Sequence, residues 1–178
     1  TGLSWRKNTN ENYCGASSTS RGADLNRNFE FQWGCCGGSS GDACSDTFRG
    51  ASAASEPETQ TVQNYIRTIF PDQRDDALDA AAPDDATGIY MDVHSHSEII
   101  LWPWGFTGPD PGNLDQLTTL GRKLAYFNGY NPSHSIWYDV DGDTIDFAYG
   151  STGVASFVFE LGTSFFQDCG TFLDEILP

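Results

Sequence analysis

Three short β-favouring runs, at 88–94, 99–102 and 154–161, are interleaved with two longer segments of helical period, and that alternation most restricts the fold. Ser55 and Glu58 have the spacing of a capping box, and Pro57 falls where a first helical turn tolerates it. Val62, Tyr65, Ile66, Ile69 and Phe70 then recur on one helical face, which predicts a helix over about 56–70. Leu114, Leu117, Gly121, Leu124 and Phe127, with Gly129 as a stop, predict a second helix over 114–128. The strand runs are rich in Val, Ile and Phe and read as buried. Strands alternating with helices of this length predict an α/β sheet rather than a sandwich or a bundle. Ligands of such sheets sit at the carboxyl ends of the strands, where His94 closes one run and Glu160 nearly closes another.

A chain of 178 residues is sized for one domain with a real core, and 38% hydrophobic with 13% aromatic residues excludes intrinsic disorder. Its formal net charge of −16 repels phosphate backbones and anionic lipid, so nucleic acid and membrane surfaces are not expected partners. None of the five cysteines forms a Cys-x-x-Cys pair, and Cys35, Cys36 and Cys44 lie in a loop whose clearest stretch is the Gly/Ser-rich 34–41. Disulfides in an oxidising compartment are therefore expected, extracellular or periplasmic, with at least one thiol left over because the count is odd.

Four segments carry groups capable of chemistry. In Asp24-Leu25-Asn26-Arg27-Asn28-Phe29, an Arg fork beside an Asn amide can grip a free carboxylate, although an Asn-Arg pair is more often plain surface loop. In His94-Ser95-His96-Ser97-Glu98, an imidazole at a strand end is a good zinc ligand. His94 and His96 share a strand face, so a two-histidine chelate competes with His94 alone, which is preferred because Ser95 and Ser97 suggest that the strand ends there. In Phe157-Val158-Phe159-Glu160-Leu161-Gly162, a carboxylate among apolar residues has the raised basicity of a general base, unless it simply points outward. The run from Tyr138 through Asp139, Asp141, Asp143 and Asp146 reads as a calcium loop or, equally well, as a flexible loop carrying a mobile Tyr; no bidentate Glu stands at the twelfth position of an EF-hand.

Taken together, Trp5-Arg6-Lys7, Asp24 to Phe29, Ser45-Asp46-Thr47-Phe48-Arg49-Gly50, Asp92-Val93-His94-Ser95 with Trp102-Pro103-Trp104-Gly105, and Phe157 to Leu161 resemble the zinc metallocarboxypeptidase family of the carboxypeptidase A/B type in order and spacing. The Gly/Cys-rich loop is similar to that of secreted bacterial members. The resemblance implies a mixed, mostly parallel sheet flanked by helices, one Zn2+ ion, and peptide or protein C-termini as substrates. It implies His94 as a zinc ligand, Glu160 as the general acid/base and Arg6 as the group that steadies the oxyanion. It further implies that Asn26 and Arg27 bind the terminal carboxylate, that Tyr138 closes over it, and that Ile145 lies at the base of the specificity pocket. Cys14 and Cys44 fall at positions that the family's animal members link by a disulfide; no such guide exists for Cys35, Cys36 and Cys169. His96 departs from the pattern, replacing a Tyr common in animal members.

The family draws two further zinc ligands from a His-x-x-Glu motif, and none occurs here: the residues three after His94, His96 and His134 are Ser97, Ile99 and Trp137. The chain is thus expected to be the C-terminal portion (1–178) of a single peptidase catalytic domain, incomplete at both ends, with the N-terminal segment of that domain as its partner. Alone it should be inactive and bind zinc weakly. Ile145 favours apolar termini, whereas Asp141 and Asp143 nearby would admit Lys or Arg. A non-catalytic relative that only binds C-termini, and a cell-wall amidase of the same superfamily, are the rival readings.

Overall fold

The computed structural model describes residues 5–134 and 138–177. Four strands, β1 (Ile89–His94), β2 (Ile99–Leu101), β3 (Asn131–Ser133) and β4 (Ala155–Glu160), form one sheet in the order β1-β4-β2-β3. β1 runs parallel to β4 and β2 parallel to β3, while β2 and β4 are antiparallel. The sheet is mixed and mostly parallel, as the family resemblance implies.

Side chains alternate across a sheet, and the core divides accordingly. Ile100 and Phe157 join Leu117 and Ala125 of helix α2 (Leu114–Asn128), together with Trp102, Trp104 and Tyr149. Leu101 and Val158 instead join Ile145 of helix α3 (Thr144–Thr152). Helix α1 (Pro57–Ile69) delivers Ile66 to a third cluster with Phe29, Phe147 and Val154. α2 ends at Gly129, whose φ of 72° is the left-handed C-cap conformation read from the sequence.

Three expectations need correction. Ser55 does not cap α1. The N-cap is Glu56, which is fully buried and accepts hydrogen bonds from Asn8 Nδ2 (2.8 Å), Asn10 Nδ2 (2.9 Å), Tyr13 Oη (2.9 Å) and Ser55 Oγ (2.8 Å). Burial alone would raise the pKa of this carboxylate, but Asn8, Asn10 and Tyr13 of the irregular N-terminal segment, with Ser55, hold it below the usual range. Second, β1 is not a buried strand: Ile89, Met91 and Val93 are exposed, and its outer edge pairs with nothing among the described residues. Val62, Tyr65 and Ile69 of α1 are exposed too, so the periodic face read from the sequence is only partly covered by these residues.

Third, the segment after Asp143 is not a flexible loop. It forms α3, buried on nearly every side, with Asp143 as N-cap accepting from Asp146 N at 2.8 Å and Gly153 as a left-handed C-cap. A helix buried all round shows no amphipathic period, and its acidic start reads as loop. Cys14 and Cys44 are joined by a disulfide, as the family resemblance implies; Cys35 and Cys36 form another, and Cys169 is free.

Packing of α2 on the sheet makes a sharp prediction. A Cβ on Gly121 would lie 2.4 Å from the Trp102 ring. Gly121→Ala gains about 1 kcal/mol of helix propensity, but overpacking against a rigid indole costs about 1–3 kcal/mol. Urea unfolding should show the variant no more stable than the parent and up to about 2 kcal/mol less stable.

Candidate active site

Parallel pairing of β1 with β4 places His94 directly beside Glu160, so both end at the same sheet edge. Beyond them opens a cleft of about 280 Å³. Arg6, Asn26, Arg27, His94, Tyr138, Ile145 and Glu160, all the residues singled out above, line it.

The 3₁₀ turn Leu25–Arg27 presents the Asn-Arg pair. Asn26 Oδ1 accepts from Thr144 N at 2.9 Å, which fixes the amide and leaves Nδ2 to donate into the cleft. Arg27 is buried; Nε donates to Gly38 O (3.2 Å) and Nη1 to Asn26 O (2.5 Å), and Nη2 makes no hydrogen bond among the described residues. The Gly-rich loop can reach Arg27 because position 38 has no side chain: a Cβ there would stand 2.6 Å from the Asp141 backbone nitrogen. Arg6 donates through Nε (2.9 Å) and Nη2 (2.7 Å) to Asp24 Oδ2, and that buried carboxylate holds the guanidinium at the cleft wall. Tyr138 stands at the rim, 57% exposed.

Burial raises the pKa of Glu160, and the positive charges of His94, His96 and Arg6 only partly offset it. The carboxylate is therefore more basic than an ordinary glutamate. Burial disfavours the charged form of His94, yet Asp92 beside it prevails and lifts the imidazole above its usual value. Nε2 of His94 is 2.9 Å from Asp92 Oδ2 but off line for a hydrogen bond, so this buried nitrogen has a charge neighbour and no hydrogen-bond partner. An imidazole in that condition suits a metal ion. It is the one ligand of this kind that the sequence reading named, and among the described residues no group of three His, Cys, Asp or Glu is arranged to hold a metal.

Asp92 was missed as a functional residue, although its i, i+2 spacing to His94 puts both side chains on one strand face. Thr144 Oγ1 also donates to Asp92, so α3 braces the carboxylate that orients His94. His96 lines the same cleft, its ring packed edge-on against Phe165 at 5.0 Å.

The acidic run 139–146 is not a calcium loop, because each of its carboxylates accepts at least one hydrogen bond within the fold. Asp139 accepts from Thr107 Oγ1 (2.6 Å), and Asp146 from Gly105 N (2.9 Å). Asp141 is fully buried and accepts from Cys36 N (3.2 Å), Gly38 N (2.9 Å) and Ser39 Oγ.

Residues 1–174 match the family model described as zinc carboxypeptidase. Carboxypeptidase B of Bos taurus is 34% identical over 165 residues, which is 88% of this chain and 35% of the relative. Mast cell carboxypeptidase A of Homo sapiens is 30% identical over 167 residues, again 88% of this chain and 35% of the relative. Each relative is thus far longer than the matched chain. Carboxypeptidase A from Helicoverpa armigera superposes with a TM-score of 0.71 at 29% identity, covering 92% of this chain and 39% of that one.

Removing the Asp141 carboxylate would strand three donors in the wall behind Arg27. Asp141→Ala should cost on the order of 3 kcal/mol, read as a lower denaturant midpoint, and should expose the 34–41 loop to protease before the rest of the chain.

Proposed function

Because the chain belongs to the zinc carboxypeptidase family, we propose that it is the C-terminal portion of a metallocarboxypeptidase catalytic domain, and that its cleft binds and cleaves peptide C-termini. The observation that carries this reading is the convergence of a carboxylate-gripping pair, a buried general base and an unpaired imidazole on one cleft. Asn26 Nδ2 and Arg27 Nη2 hold the terminal carboxylate in a forked, charge-assisted grip. Tyr138 covers it from the rim. Arg6 faces the last peptide carbonyl and steadies the charge that grows on its oxygen, an effect worth a few kcal/mol in sites of this type. Glu160 takes the proton of the attacking water and passes it to the departing amine.

His94 is one ligand of a single Zn2+ ion, oriented by Asp92. Bound zinc supplies Lewis-acid activation of water at neutral pH. A catalytic zinc takes three protein ligands, and the two others come from the first half of the domain. That half is the chain's partner, and the open edge of β1 with its exposed Ile89, Met91 and Val93 is where its strands continue the sheet. The 178 residues alone are inactive. The disulfides fit secretion.

The test is hydrolysis of short peptides by the full-length protein. Glu160→Gln should lower kcat by about 10²–10⁴-fold, and retention of more than a tenth of the rate would remove Glu160 from the chemistry. The basic form of Glu160 is the active one, so kcat/KM should fall as pH drops through its raised pKa. That acid limb should lie above the ordinary glutamate range and disappear in Glu160→Gln. Truncating Arg27 to Ala should raise KM for free-acid peptides by about tenfold or more, as expected for loss of a charge-assisted contact of about 1.5–3 kcal/mol, and should leave C-terminally amidated peptides equally poor substrates before and after.

A further inference from the structure

Next to Arg6 in the chain lies a buried cation to which the chemistry above gives no part. Lys7 is only 6% exposed, and its Nζ donates to three main-chain carbonyls, Ser20 O (2.6 Å), Ala43 O (2.9 Å) and Ser45 O (2.9 Å). Three acceptors around one nitrogen call for the ammonium form, because a neutral amine has only two N–H groups to give. Lys7 is in ion-pair contact with no carboxylate among the described residues. Burial pulls its pKa down, and the negative charges of Asp46, Asp24 and Asp42 oppose that.

The three carbonyls come from two segments remote from residue 7 in the chain. Ser20 lies shortly before Asp24, the partner of Arg6, while Ala43 and Ser45 flank Cys44, which a disulfide ties to Cys14. Nζ also stands over the Phe48 ring, 5.6 Å from its centre, and Phe48 O accepts from Asp24 N at 2.8 Å. On the other side of Lys7, Asn8 N donates to Ala23 O (2.9 Å) and Asn8 Oδ1 accepts from Ala23 N (2.8 Å). Both members of the Arg6–Asp24 pair are therefore attached to one knot, with the Lys7 ammonium at its centre.

Burying an ammonium is costly, and a well-packed apolar residue in its place is often no less stable. What the charge supplies is direction, since three charge-assisted bonds fix its nitrogen from three sides. Arg6 by itself is less constrained: its side chain is 35% exposed, both of its bonds go to Asp24 Oδ2, and Nη1 makes no hydrogen bond among the described residues. We propose that Lys7 is a positioning residue for the carboxypeptidase reaction proposed above, on which this inference rests. By pinning the main chain at residue 7 to the segments at 20 and 43–45, it holds Arg6 where its guanidinium meets the last peptide carbonyl. Misplacing such a donor by a distance on the order of 1 Å is enough to slow the chemical step.

The experiment is a double-mutant cycle in the full-length protein, with Lys7→Met and Arg6→Ala, alone and together, assayed on one free-acid peptide. Methionine keeps an unbranched stem and removes the charge. Alone, Lys7→Met should lower kcat by about ten- to a hundredfold and leave KM nearly unchanged, because Thr144 and Gly38 hold Asn26 and Arg27 separately. In the Arg6→Ala background the same substitution should change kcat by less than about twofold, since no guanidinium is left to misplace. A lower folded fraction would cut kcat equally in both backgrounds, so equal losses overturn the assignment. Parental kcat in Lys7→Met, or an effect on KM alone, overturns it too. Should Lys7→Met give no folded protein, Lys7→Arg takes its place in the cycle with the same expectations, as its planar fork keeps the charge but cannot reach three converging carbonyls in the same way. If neither folds, Lys7 serves the fold alone and the assignment falls. All of these outcomes leave the peptidase reading standing. An Arg6→Ala variant with parental kcat removes Arg6 from the chemistry and the part of Lys7 with it, and a parent that hydrolyses no peptide overturns the peptidase reading and this one together.

Discussion

The rest of the site depends on the parallel register of β1 and β4. His94 and Glu160 are partners in that register, and Leu161 N donates to His94 O at 2.8 Å just past it, so the two side chains leave adjacent strands about 4.8 Å apart. A slip of either strand by one residue would turn its side chain to the wrong face and part the pair. What prevents it is the core: Phe157 and Val158 go to different clusters, and α3 packs Ile145 against one face of β4 while Tyr149 joins the cluster on the other. Helix α3 therefore does two things at once. It locks the register, and through Thr144 it fixes both the amide of Asn26 and the carboxylate of Asp92.

That double role explains why so many acids gather at the start of α3. The helix N-terminus offers unpaired N–H groups and positive partial charge; Asp143 accepts from the Asp146 N–H there, and the Asp146 carboxylate accepts from Gly105 N. Burial makes the pair costly as two anions, so their pKa values rise together. Around them Arg27 and Arg6 supply the positive charge, each held by a partner on its own side of the cleft: Gly38 O and Asn26 O for Arg27, Asp24 for Arg6. The site is thus pre-organised by hydrogen bonds that do not use the atoms left facing the cleft.

Much of this was legible in the sequence, for physical reasons that can be named. The β-branched runs and the period of 114–128 marked β1, β2, β4 and α2, because a two-sided core imposes those patterns. The carboxyl ends of strands marked His94 and Glu160. What escaped were features that leave no period: α3, buried all round, and the N-cap Glu56, whose donors are scattered over residues 8–55. The exposure of β1 escaped because an apolar strand reads the same whether its cover lies inside the 178 residues or outside them. The different parts of Asp141 and Asp143 escaped because two like residues at i, i+2 differ only in which donors reach them, and for Asp141 those are Cys36, Gly38 and Ser39 from a distant part of the chain.

Global and local charge pull in different directions here. The 178 residues carry a net charge of −16, and such a field slows the approach of acidic peptides and speeds that of basic ones. In the proposed reading a terminal carboxylate enters against that field, which short-range donors make favourable; Arg27 and Asn26 line the cleft, where solvent and salt screen them less than at the open surface.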